Sequence, residues 1–240
     1  MTFNIRHGNG MDRRVDLNRA AGVIRAARPD VVGLQEVDRH FSDRSGFLDQ
    51  AGQLAGTLSM HLAYGANLDL DPPTAGGPRR QFGNAILSRH PVLDSENVLL
   101  PRFADHEQRG LLRAEIAAGS RPWQIFTTHL QPNAAAERLA QARAVADRIG
   151  APQHPLVLLA DLNATPGTPE IRALTVGLAD AWPTAGGWFG STFPNPFPYR
   201  RIDYVLHSPA GRAETAVVVG SLSARIASDH LPVVADIAPI

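Results

Sequence analysis

Five short apolar runs border residues able to bind a metal or move a proton. Asn4 follows Thr2-Phe3, Glu36 follows Val31–Gln35, and His129 follows Ile125–Thr128. Asp161 and Asn163 follow Leu156–Ala160, and Asp229-His230 precede Leu231-Pro232-Val233. Two of the spacings repeat: Asn4 to Glu36 and His129 to Asp161 are each 32 residues. A carboxylate, amide or imidazole at the end of a buried strand must be solvated, paired or metal-bound, because uncompensated burial of charge is costly. Carboxylate and amide oxygens are the donors that hard cations take, and Mg²⁺ uses one or two carboxylates together with waters and substrate phosphate. These residue types together suit a hard divalent cation with a proton-transfer group beside it. The chain has no cysteine, which excludes thiolate ligands, disulfides and a cysteine nucleophile.

The elements that would carry these residues form two similar units. In the first, a strand over 2–5 leads into a helix with Leu17, Ala20, Ala21, Ile24 and Ala27 on one face and Asp16 as its N-cap. Pro29-Asp30 end that helix, and Val31–Leu34 forms a buried strand ending at Gln35-Glu36. In the second, a strand over 123–128 ends at His129-Leu130-Gln131 and a helix follows with Leu139, Ala142, Val145, Ala146 and Ile149 on one face. Pro152 and Pro155 break it before the strand Leu156–Ala160. Open α/β sheets bind ligands at the C-terminal ends of their strands, so two such units predict two halves facing one cleft. Further strands are expected at 85–87, 111–116, 202–206, 216–219 and 233–237, and a helix over 48–58. The expected fold is α/β with two sheets in one domain spanning 1–240, without a solenoid repeat.

Seven segments in this order resemble the endonuclease/exonuclease/phosphatase superfamily, which includes deoxyribonuclease I, apurinic endonucleases, neutral sphingomyelinases and inositol polyphosphate phosphatases. They are Thr-Phe-Asn-Ile-Arg-His-Gly (2–8), Leu-Gln-Glu-Val-Asp (34–38), Gly-Asn-Ala-Ile-Leu-Ser-Arg (83–89), Thr-Thr-His-Leu (127–130), Ala-Asp-Leu-Asn (160–163), Arg-Ile-Asp-Tyr-Val (201–205) and Ser-Asp-His-Leu-Pro-Val (228–233). The resemblance implies a four-layered α/β/β/α sandwich of two mixed sheets and a phosphoric ester hydrolase using Mg²⁺, with Mn²⁺ or Ca²⁺ as other candidates. Glu36 then matches the principal metal ligand, with Asn4 and Asp229 beside it. Asp161 matches the residue that deprotonates the attacking water, and Asn163 the amide that steadies it. His230 matches the phosphate-binding histidine, with Asp203 orienting it. His129 matches a second histidine, a candidate general acid, and Glu107 is the candidate carboxylate to orient it. Arg109, His7 and Asn84 are candidate substrate-binding residues. No phosphoenzyme is expected, since the carboxylates are committed to metal and base roles.

Substrate choice is expected to lie in two loops. Residues 69–82 are rich in Pro and Gly and carry Arg79-Arg80, and residues 182–199 hold six of the chain's fifteen aromatics. Such rings could stack bases, rest at a lipid interface, or pack on one another. Lys+Arg and Asp+Glu balance at 23 each, and a nuclease would need a sustained basic track. A small phosphoester or lipid headgroup is therefore the favoured substrate. Nucleic acid is the alternative, peripheral membrane contact a candidate, and a catalytically dead binding module a third reading. A monomer is expected. No apolar run reaches the roughly 20 residues of a membrane span. The start of the chain fits a cytoplasmic protein or one exported with its signal removed.

Overall fold

The computed structural model describes residues 1–119, 121–152 and 154–240. The first unit comprises β1 (Thr2–Asn4), α1 (Leu17–Ala27) and β2 (Val31–Arg39), with Asp16 capping α1 by accepting from Asn18 N. Next come α2 (Gln50–Leu58), β3 (His61–Leu70), β4 (Arg80–Ser88), β5 (Val92–Leu99) and β6 (Gly110–Ile116). The second unit comprises β7 (Trp123–His129), α3 (Ala135–Ile149) and β8 (Leu156–Asp161). The rest comprises α4 (Pro169–Leu174), β9 (Ala179–Asp180), α5 (Ala181–Ala185), β10 (Asp203–His207), β11 (Gly211–Val218), α6 (Leu222–Ala227) and β12 (Val233–Pro239).

Two six-stranded sheets form, ordered β11-β12-β1-β2-β4-β3 and β5-β6-β7-β8-β10-β9. In each, the strand pair of one unit is parallel, β1 with β2 and β7 with β8, while its flanking pairs are antiparallel. Strand alternation sorts the side chains into layers. Val32 and Leu34 of β2 meet α1, α2 and α6, whereas Leu156, Leu158 and Ala160 of β8 meet α3 and α4. Between the sheets lie Ile86, Leu112, Ile116, Ile125, Val157, Leu159 and Val205. The result is the expected four-layered α/β/β/α sandwich.

The sheets approach closely at Gly33, where a Cβ would lie 2.7 Å from Leu159 Cβ and 2.9 Å from Thr127 Oγ1. Above it, Gln35 Nε2 donates to Thr127 Oγ1 (2.9 Å) and Thr2 Oγ1 (3.1 Å), so a fully buried amide ties the sheets directly beneath the cleft. Among the described residues, no helix is long and apolar enough to cross a membrane.

Several features depart from the sequence expectation. Strand β2 does not end at Gln35-Glu36 but runs on to Arg39 through a register shift between Leu34 and Val37, with Glu36 at φ 58°. Strands β3 and β5 were not expected: β3 alternates half-buried and buried residues behind the short run Leu62-Ala63-Tyr64, and β5 is largely exposed with polar and apolar residues mixed. Arg79, expected in a substrate loop, instead pairs with Asp69 and Asp71 at the turn between β3 and β4.

Candidate active site

Both units deliver their polar residues to one cleft. The β1–β2 register sets Asn4 beside Gln35, and the β7–β8 register sets His129 beside Asp161. Antiparallel pairing of β10 places Asp203 opposite Asp161, and the β1–β12 pairing brings the 228–230 turn over Asn4. Ser228 Oγ locks that turn by donating to Asn4 O at 2.7 Å. Strict alternation would send Glu36 into the helix layer. The bulge and the left-handed backbone turn it to the cleft instead, a local strain of the kind found beside functional sites.

Asn4 joins the two halves, with Nδ2 donating at 3.0 Å both to Glu36 Oε1 and to Asp161 Oδ2. Its oxygen, expected to face a metal, accepts from Arg6 N at 3.0 Å. Asp161 is fully buried and also accepts from Asn163 N at 3.1 Å. Burial, with Asp203 nearby, raises its carboxyl to about 7 against the opposing pull of His230, Asn4 and Asn163. Its Oδ2 lies 3.4 Å from His129 Nε2 and 3.6 Å from His230 Nε2.

The two histidines differ. Burial disfavours charge on His230, but Asp203, Asp161 and Asp229 outweigh it and push the ring up to about 10. It is therefore an imidazolium, held by Asp203 Oδ2 at 2.9 Å from Nδ1 and packed 4.7 Å from the Phe193 ring. His129 is driven well below its ordinary value by burial, then by Arg109 and His230. Arg109 Nη1 sits 3.2 Å from Nδ1 and Asn163 Nδ2 2.9 Å from Nε2, so donors face both ring nitrogens and the neutral ring accepts from only one of them. Asn163 Nδ2 also donates to Leu130 O at 2.9 Å. The expected general acid is thus neutral at rest. Glu107, expected to orient it, instead pairs with Arg109 at 2.8 Å and reaches His129 only through that arginine.

Glu36 and Asp229 form the other side. Burial raises Glu36, Asp229 raises it further, and the Asn4 donor lowers it. Asp229 itself pairs with Arg6 at 3.4 Å. Glu36 and the neighbouring Asp229, with amide oxygen nearby, suit a divalent cation. Asp161, Asp203 and His230 also present donor atoms within 4.8 Å of one another, a second acidic and histidine group able to hold a metal. As an imidazolium, however, His230 has no free lone pair to offer.

The remaining candidates lie around this centre. Arg109 is buried beside His129, and its Nε has no hydrogen-bond partner. Asn84 is only 1% exposed and donates to Gly110 O, next to Arg109, at 3.3 Å. His7 lies in the turn after β1 at φ 45°. Sequence reasoning overlooked Ser228, Phe193 and Arg6. Ser228 and Arg6 lay inside quoted motifs, and Phe193 inside the aromatic loop, so the signal was proximity to known positions rather than residue type.

Comparison with known proteins agrees with this geometry. A crystal structure of an endonuclease/exonuclease/phosphatase from Beutenbergia cavernae DSM 12333 superposes with a TM-score of 0.84 at 31% identity, covering 99% of this chain and 70% of that one. The uncharacterized protein YbhP of Escherichia coli (strain K12) is 29% identical over 251 residues, spanning 99% of this chain and 94% of its own. The Bacteroides thetaiotaomicron mannosyl-6-phosphatase Bt3783 shares the fold, with a TM-score of 0.77 at 19% identity over 99% of this chain and 98% of that one. Residues 1–230 match the model of the Endonuclease/Exonuclease/phosphatase family, and the chain belongs to that family of phosphoesterase hydrolases.

Proposed function

We propose that this protein is a Mg²⁺-dependent phosphoesterase that uses activated water to hydrolyse the phosphoester of a small molecule or lipid headgroup. The observation carrying this reading is Asp161: a fully buried carboxylate, raised to about 7, aimed by Asn4 and Asn163 and facing two imidazoles. A carboxyl titrating near neutrality is matched to accept a proton from water. Glu36 and Asp229, with the Asn4 amide beside them, would hold the cation, which when bound supplies positive charge against the charge developing on phosphoryl oxygens.

The chain's own residues do the rest. Asp161 orients the water and takes its proton. The His230 imidazolium, fixed by Asp203, holds a phosphoryl oxygen from one side. The Asn163 amide and Arg109 offer donors from the other, so the site presents fixed positive dipoles and charge where the transition state becomes more anionic.

The aromatic loop supports a substrate presented at a lipid surface. Its base is fixed to the site by the Phe193–His230 contact and by Asn195 N donating to Asp229 O at 2.8 Å. Its outer rings are bare: Trp188 is 98% exposed, Phe189 89%, Phe197 85% and Tyr199 75%. Arg79 and Arg201 are spent on aspartates, which leaves little of the basic track that nucleic acid requires.

The test is chelated protein assayed with and without Mg²⁺ on an aryl phosphodiester, an aryl phosphomonoester, sphingomyelin and phosphoinositide vesicles, DNA and RNA. Cation-dependent turnover of the small or lipid esters above the nucleic acids is expected. Preference for DNA or RNA would overturn the substrate class, and no turnover with any cation would overturn the hydrolase reading.

A further inference from the structure

A guanidinium on the cleft wall takes no part in the chemistry above. Past Glu36, β2 carries Asp38, which pairs in register with Phe82 of β4. On β4, Phe82 alternates with Asn84 and Ile86, residues directed toward the opposite sheet. Asp38 is fully buried and grips Arg44 through Nε (2.9 Å) and Nη2 (2.7 Å), while Ser45 Oγ donates a third bond at 2.7 Å. The Arg44 guanidinium lies over two rings, 4.7 Å from the Phe41 centroid and 5.2 Å from that of Phe82.

His7 is braced into the same arrangement. Gln50 Nε2 holds the His7 carbonyl at 2.7 Å, and Gln50 Oε1 accepts from Asp38 N at 3.1 Å. The His7 Nδ1 is buried with no hydrogen-bond partner. Burial, then the nearby Arg44, lowers the ring's pKa.

An arginine serving only as a surface tether would contribute little and would need neither ring. Here three groups fix one guanidinium, and its Nη1 edge is left unspent with the side chain 39% exposed. A planar fork held in place beforehand suits bidentate recognition of phosphate or carboxylate, since ordering has already been met by folding.

We propose that Arg44 and His7 form a second anion subsite, which holds a further phosphate or carboxylate group of the substrate while the scissile phosphate lies among Asp161, His129 and His230. This rests on the phosphoesterase reading. The preferred substrate is then a phosphoester carrying another anionic group on the portion that lies along β2.

The test compares wild type and Arg44→Gln on 4-nitrophenyl phosphate and on counterparts bearing a ring carboxylate or a second phosphate. KM for at least one anionic counterpart should rise about 10-fold or more in the variant, as expected for a lost charge-assisted pair. The kcat should stay within about twofold and the uncharged-ring ester should be unaffected. Selective loss on the carboxylate or on the phosphate counterpart names the group. Arg44→Lys should restore part of the loss, because charge returns without the fork. Should Arg44→Gln fail to fold with Asp38 unpaired, the Asp38→Asn/Arg44→Gln double variant replaces it. Equal losses on all esters, or no loss on any, would overturn the subsite. If wild type turns over none of them, the phosphoesterase reading fails by itself, and calorimetric binding of inorganic pyrophosphate decides the subsite. Affinity at least about 10-fold weaker in Arg44→Gln supports it, and equal affinity overturns it.

Discussion

The two strand–helix–strand units place their key residues in different ways. In the second, the β7–β8 ladder is regular to its last pair, His129 with Asp161, and the side chains that matter follow strand alternation into a buried pocket. In the first, the regular ladder ends with Asn4 and Gln35, and Gln35 is spent joining the sheets. The useful carboxylate is one residue further on, turned into the cleft by a bulge and a left-handed backbone. On the proposed reading the second unit holds the proton-handling groups and the first the cation ligands, and each places a left-handed residue in the site, Asn163 at φ 49° and Glu36 at φ 58°. Low dielectric sharpens pKa shifts where a proton must move, whereas a cation site needs access to water and substrate.

The largest effect should come from the second unit. Asp161→Asn keeps the hydrogen-bonding shape but cannot accept the water's proton, so single-turnover rates should fall on the order of 10²–10⁴-fold with substrate affinity retained. Collapse of affinity with an unchanged rate per bound complex would make Asp161 a binding residue.

An intermediate effect is expected at Asp203. His230 lies at about 10 in the fold, above its ordinary value near 6.5. A raised histidine contributes stability that is fully present below about pH 6.5 and lost as pH rises through the folded value. Asp203→Asn should therefore lower the His230 midpoint, followed by NMR in chelated protein. The stability gap to wild type should be widest in acid and close toward pH about 10. An unshifted midpoint would show that Asp203 does not set the charge of this ring.

The smallest effect concerns the first unit. Glu36→Gly permits the φ of 58° freely, so the variant should lose catalysis yet gain about 1 kcal/mol of stability. For a chain of this size that is a melting-temperature increase of about 2–4 °C. A lower melting temperature would mean that the Asn4–Glu36 bond outweighs the strain.

The same contrast explains what was legible beforehand. His129, Asp161, Asn163 and the Asp229-His230 pair stood out because each borders an apolar run that alternation places correctly. Glu36 was legible by type and resemblance, but the strand was expected to stop there, since no local residue marks a bulge whose cause is pairing with β4. Strand β5 is largely exposed and lacked an apolar face to read, and the apolar start of β3 is cut short by Gly65 and Asn67. Arg44 was missed because Phe41 and Phe82, the rings it rests on, come together only when β2 and β4 pair. The lowered pKa of His129 was likewise out of reach, for it depends first on burial between the sheets and then on Arg109 arriving at Nδ1 from a separate loop.

The central claim, a cation held at Glu36 serving a base at Asp161, is tested most directly by titrating Mg²⁺ into chelated wild type and Glu36→Gln while following hydrolysis of an aryl phosphodiester. Wild type should be inactive without cation and saturate with it. Glu36→Gln, of the same size and fold but without the charge, should require at least about 10-fold more Mg²⁺ for half-maximal rate. The same half-saturating concentration in both proteins would contradict a cation bound at Glu36, and full activity of the chelated wild type would contradict cation dependence altogether.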